Sequence, residues 1–155
     1  MASISIKTVL SAMKEHPLVE THRGASEHEI KYFRKIANRP LPVSYKTFLS
    51  EIGFAYLGSD ILYGLGPDAT RATSVLENMV FESVNAEPPM RSTLIPVMGD
   101  GAGNHFCLDT AAIKDGDCPV VFWDHEHSRG MMQRPERVSV RFAVWLQRQL
   151  KQLSD

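Results

Sequence analysis

Three stretches of this sequence hold residue types able to do chemistry. The first is Gly99-Asp100-Gly101-Ala102-Gly103-Asn104. A glycine-rich loop binds phosphate when its free amides and the N-terminus of a following helix face the anion. Here the next residues, His105-Phe106-Cys107-Leu108, read as a strand, Asp100 would repel an anion, and no Gly-Lys-Ser/Thr occurs anywhere. The loop therefore reads as a β-turn. The second stretch is Asp124-His125-Glu126-His127. On a strand both imidazoles would share a face, and Asp124 or His105 could join them around a divalent cation. No spacing fixes a third ligand, so no metal and no cofactor are expected. The third is Cys107, a thiol with no histidine placed by sequence as its base, in a chain without a Gly-x-Ser-x-Gly elbow. The expectation is a protein that is not an enzyme.

Charge patterning says more than these motifs. Between Asp100 and Glu126 six acids (Asp100, Asp109, Asp115, Asp117, Asp124, Glu126) face only Lys114. From Arg129 to Lys151 six basic residues face only Glu136. A net charge of −1 thus conceals two opposed halves, −5 and +5. They either neutralise one another across the fold or leave the acidic turns as a docking surface for a basic partner. The overall balance gives no reason to expect direct nucleic-acid or membrane binding.

The elements that position these residues follow from periodicity. Ile6, Val9, Leu10 and Met13 recur at helical spacing within Ile4 to Glu15, ahead of Pro17. Ser26 and Glu29 form a capping box for a helix that buries Ile30, Phe33 and Ala37 and stops at Asn38. Leu41-Pro42 opens a third helix, with Pro42 near its first turn and Gly53 just past its end. Thr73 to Val84 reads as a fourth, closed by Pro88-Pro89. Ile61 to Tyr63, Leu94 to Met98, His105 to Leu108 and Val120 to Trp123 read as strands, the 99–104 turn joining the second to the third. Ser139 looks like the N-cap of a last helix whose core face is Phe142, Trp145 and Leu146. At 155 residues, this is one α+β domain with N-terminal helices packed on a mostly antiparallel sheet and a C-terminal helix. Two cysteines without Cys-x-x-Cys spacing, no signal-like leader and no long apolar run fit a cytoplasmic protein.

With these elements in place, the sequence resembles the SMI1/KNR4 family, also called the SUKH superfamily, over roughly residues 24 to 150. The resemblance rests on Leu41-Pro42-Val43-Ser44-Tyr45-Lys46-Thr47-Phe48-Leu49 ending at Gly53, then Ile61-Leu62-Tyr63-Gly64 and Ile95-Pro96-Val97. It continues through the 99–104 turn, His105 to Asp109, and Pro119-Val120-Val121-Phe122-Trp123-Asp124-His125-Glu126. Arg34 and Asn104 stand where the family usually carries acids. The resemblance implies a non-enzymatic domain. Many bacterial members are immunity proteins that neutralise a toxin domain, often a nuclease; the alternative is a regulatory or scaffold role in the cell-wall (glucan) branch. Joined to the charge pattern, this gives an expected partner surface of Tyr63, Asp100, Asp115, Asp117, Trp123, Asp124, His125 and Glu126. Its expected occupant is a protein, such as a basic nuclease toxin whose active site the domain would occlude; aromatics in sheets more often pack in the core than meet a ligand, and Tyr63 and Trp123 serve as aromatic anchors only if exposed.

Overall fold

A computed structural model describes residues 4–125 and 134–154. The first helix, α1 (Ile6–Glu15), starts where the Ser5 hydroxyl accepts the Lys7 amide, and it buries Val9, Leu10 and Met13. After β1 (Val19–Thr21) comes α2 (Glu27–Ala37). Its capping box forms as the sequence implies: Ser26 Oγ accepts from Glu29 N at 3.1 Å, and Glu29 Oε1 accepts from Ser26 N at 3.0 Å. Asn38, left-handed at φ 51°, ends it. Helix α3 (Val43–Glu51) has Pro42 as N-cap, one position outside the helix. Gly53 follows at φ 81° and donates to the Phe48 carbonyl. A Cβ at Gly53 would stand 2.2 Å from the Arg23 carbonyl oxygen, so both conformation and space require glycine there.

Two short strands, β2 (Ala55–Leu57) and β3 (Asp60–Leu62), form a hairpin. Helix α4 (Val75–Val80), capped by Ser74, passes directly into a π-helical turn, Phe81–Asn85. The remaining strands are β4 (Leu94–Gly99), β5 (His105–Asp109), β6 (Val120–Trp123) and β7 (Glu136–Ser139). The chain ends in α5 (Phe142–Ser154). The seven strands pair in sequence order, every pairing antiparallel. One cross-strand row runs unbroken through Thr21, Ala55, Leu62, Met98, Phe106, Phe122 and Glu136. The architecture is α+β. Leu57, Leu62, Ile95, Leu108 and Val120 join the buried residues of the helices in the main core. A smaller core of Met90, Leu94, Cys107, Val121 and Trp123 forms apart from it. Cys107, Val121 and Trp123 alternate along β5 and β6 with Leu108 and Val120 of the main core, so the pleat assigns the two cores to opposite faces.

The start of the last helix differs from the sequence reading. Ser139 ends β7, paired with Val120, and its hydroxyl donates to the Arg141 carbonyl at 3.0 Å. The first amides of α5 are capped from another part of the chain. Asp117 Oδ1 accepts from Phe142 N at 3.0 Å and Oδ2 from Ala143 N at 3.3 Å. The same Oδ1 takes the Ser44 hydroxyl at 2.9 Å and the Cys118 amide at 2.7 Å. A carboxylate beside a helix N-terminus meets both the unpaired amides and the positive end of the dipole.

Candidate functional site

An antiparallel meander gathers alternate strand ends on one side. Here the end of β2 and start of β3, the end of β4 and start of β5, the end of β6 and the start of β7 all lie at one end of the sheet. That end holds Asp60, Asp100, Asp124 and Glu136, with Asp60, Asp100 and Glu136 exposed and Asp124 half-buried. Exposed Arg134 stands just before β7. Lys151 sits near the C-terminal end of α5, where a Cβ on Gly58 would meet the Leu153 side chain. Asp60 and Glu136 are not in the surface expected from sequence, because only the pairing of β2 with β3 and of β6 with β7 places them at the same sheet end as Asp100.

Asp100 organises the 99–104 turn. Its Oδ1 accepts the Ala102 amide at 2.7 Å and the Asn104 amide at 3.1 Å, and Oδ2 accepts the Asn104 side-chain amide at 2.8 Å. Burial alone would raise its pKa. The hydrogen bonds from Ala102 and Asn104, with His105 nearby, together hold it below the ordinary carboxylate value. Two amides of the loop are thus already taken by an anion of its own, which supports the turn reading of the glycine-rich loop. Asn104 Oδ1 also accepts from His125 N at 3.0 Å and meets His125 Nδ1 at 2.7 Å. A neutral amide at this position joins Asp100 to His125, where a carboxylate would face Asp100 with like charge. Gly103, at φ 92°, leaves room for the imidazole: a Cβ there would lie 2.7 Å from His125 Cε1.

The other expected surface residues are distributed differently. Asp115 is exposed but lies at the opposite end of β5 and β6 from Asp100, because the 110–119 connection leaves β5 at its far end. There it shares a cleft with Lys114, Arg137 and Arg141, so part of the acidic and basic runs meets at this end. Asp117 is 7% exposed, and its carboxylate is engaged by the α5 amides, the Cys118 amide and the Ser44 hydroxyl. Trp123 ends β6 as expected but is 0% exposed, and Tyr63 is 7% exposed. Burial of these three removes them from any outer contact surface: the aromatic rings fill the interior, and the Asp117 carboxylate is spent on backbone amides. Glu126 and His127 lie outside the described residues.

Beneath the π-helical turn the sheet carries a buried polar pair, His105 Nε2 and Glu82 Oε1, 2.7 Å apart. Cys107 follows two residues along the strand. Its thiol is pushed well above its ordinary value by burial first and by the Glu82 carboxylate second, which holds it protonated. Tyr63 is pushed up to about 12, again by burial first and Glu82 second. Among the described residues no group of three His, Cys, Asp or Glu side chains is placed to hold a metal ion. No helix among them is long and apolar enough to cross a membrane. A family model described as SUKH_6, SMI1-KNR4 cell-wall, matches residues 27–139.

Proposed function

Because the chain belongs to the SMI1/KNR4 (SUKH) family, we propose that it is a non-enzymatic protein-binding module of the immunity type, which neutralises a toxin domain by covering its active site. The observation that carries this reading is the acidic sheet end, along which exposed Asp60, Asp100 and Glu136 are spread from β3 to β7. A nuclease must attract phosphate and so presents positive charge. A fixed negative surface steers toward it and competes for the same groove. The Asp100 turn is ordered before binding by its own hydrogen bonds, so less conformational freedom remains to be lost on docking. Compared with the surface read from sequence, this one keeps Asp100 and Asp124, with His125 supporting the turn. It gains Asp60 and Glu136 and loses Tyr63, Asp117 and Trp123 to the interior.

The test is co-expression with toxin domains encoded beside this chain, followed by stopped-flow association of the purified pair. Survival of the co-expressing cells supports the immunity role. Asp60→Lys, Asp100→Lys and Glu136→Lys together should slow association roughly ten- to a hundredfold at low salt, with the difference shrinking at high salt. A folded triple variant that associates at the wild-type rate would remove the acidic end from the mechanism. The wording of the matched family model favours a second reading, a regulatory or scaffold role in cell-wall synthesis. Recovery of a wall-synthesis component in place of a toxin would select it.

A further inference from the structure

Helices α2 and α4 have each buried an inner face, Ile30, Phe33 and Ala37 on α2 and Val75 and Met79 on α4. Their outer faces are nonetheless apolar. Tyr32 is 55% exposed, Phe81 57% and Val84 73%, with Ile36 and Val80 also exposed. Five of the eight large exposed hydrophobic residues among the described residues thus sit on α2, on α4 and on the π-helical turn Phe81–Asn85 that continues it. Isolated apolar side chains at a surface need no explanation, but a grouping of this kind marks an interaction site. The group borders two grooves that share Arg71 and Glu77. One, about 680 Å³, runs between α2 and α4 past Tyr32 and Leu76. The other, about 250 Å³, lies against Val80 and Phe81.

Charge identifies the occupant. Along α2, Tyr32 and Ile36 are one turn apart, and Lys31 and Lys35 precede them at the same spacing, so a basic row lies beside an apolar row. Arg34, where the family usually carries an acid, adds a third exposed cation on this helix. Among the described residues Lys31, Arg34 and Lys35 have no ion-pair partner. The larger groove itself is lined by Glu77 and by Glu29, whose carboxylate is held in the α2 capping box, with Arg71 between the two grooves, so the excess positive charge lies on the α2 rim above it, at Lys31 and Lys35. We propose that the outer faces of α2 and α4 form a second docking surface for an acidic, amphipathic helical segment of a partner protein. The apolar stripe of that segment would lie over Tyr32, Leu76 and Phe81, and its carboxylates over Lys31 and Lys35. A groove between two helices suits a helix, whose anchors recur every three or four residues. This surface lies on different elements from the acidic sheet end and carries the opposite charge, so it binds a different region or a different partner.

The test uses the full chain labelled with ¹⁵N and a probe peptide of about five helical turns, with leucine and phenylalanine on one face and glutamate on the other. A control peptide carries lysine in place of glutamate. The acidic peptide should give saturable shifts confined to α2 and residues 76–85, and the lysine peptide none there. Lys31→Glu with Lys35→Glu should weaken binding by roughly tenfold or more at low salt, and Phe81→Ala by about tenfold. All three positions are exposed, so the variants should fold, and their unperturbed spectra check this. Asp100→Lys should leave peptide binding unchanged, which separates failure here from failure of the acidic-end reading. Equal binding of both peptides, shifts scattered over other elements, or no saturation would overturn the proposal. So would concentration-dependent shifts of this face without peptide, which would show a second copy of the chain as its occupant.

Discussion

Replacing Asp117 by alanine tests whether a buried carboxylate, read from sequence as surface charge, instead holds the last helix in place. The side chain accepts four hydrogen bonds, from the Ser44 hydroxyl and the Cys118, Phe142 and Ala143 amides. Its removal leaves all four donors without their acceptor at a site that is 7% exposed. Loss of a helix cap costs about 1 kcal/mol, and an orphaned buried donor adds about 1–3 kcal/mol. Water entering the vacated space recovers part of the second cost. The expected net loss is about 3 kcal/mol, or a fall of roughly 6–12 °C in Tm for a chain of this length. Asp117→Asn keeps the volume but turns an NH₂ toward donors, and should cost about half as much. Urea denaturation measures both, with a lower midpoint and an unchanged slope. A second readout is Cys118, whose thiol is pushed up to about 12 by burial first and by the Asp117 and Asp109 carboxylates next. In Asp117→Ala it should react faster with a disulfide reagent. Asp115→Asn is the control, since asparagine tolerates the φ of 53° there and the residue is exposed. It should stay within about 0.5 kcal/mol of wild type. If Asp117→Ala also stays within that margin, with Cys118 no more reactive, the capping argument is wrong.

Two further outcomes follow from the 99–104 turn. Gly103→Ala meets both a φ of 92° and a 2.7 Å approach to the His125 ring, and should lose about 1–3 kcal/mol in thermal melts. Adding His125→Ala should recover only part of this, because the backbone strain remains, and full recovery would show that the strain is negligible. Asp100 has a pKa below the ordinary carboxylate value in the folded chain, so its contribution is present above the unfolded pKa and is lost as pH falls through the lower folded one. The Ala102 and Asn104 amide resonances should therefore hold their shifts until the pH drops beneath the usual carboxylate range, and Asp100→Asn should abolish that step. A wild-type step at or above the ordinary value would contradict the hydrogen-bond account.

The local part of this structure was legible from residue order. The Ser26–Glu29 capping box, the left-handed stop at Asn38, the glycine after α3 and the inner faces of α1 and α2 all depend on residues within a turn or two of one another. So do β4, β5 and β6, whose runs of apolar and aromatic residues are long enough to register as strands. The motifs of residues 24 to 150 also pointed to the family by themselves. Strands β1, β2 and β7 left no such signal. Two are three residues long, and the third, Glu136-Arg137-Val138-Ser139, is a charged edge whose extended form comes from pairing with β6. The pleat and register of the assembled sheet decided the rest. They put Trp123 and Tyr63 inside, and the packing of the π-helical turn over the sheet joined Glu82 to His105 across 23 residues. They also brought Asp117 to the start of α5, where a carboxylate counted as surface charge became an interior cap. The acidic run between Asp100 and Glu126 was likewise divided between opposite sheet ends, and Asp60 and Glu136 joined Asp100 through strand pairing. Charge totals along a chain are fixed by sequence, but which charges face the same partner depends on the pairing of residues far apart in that chain.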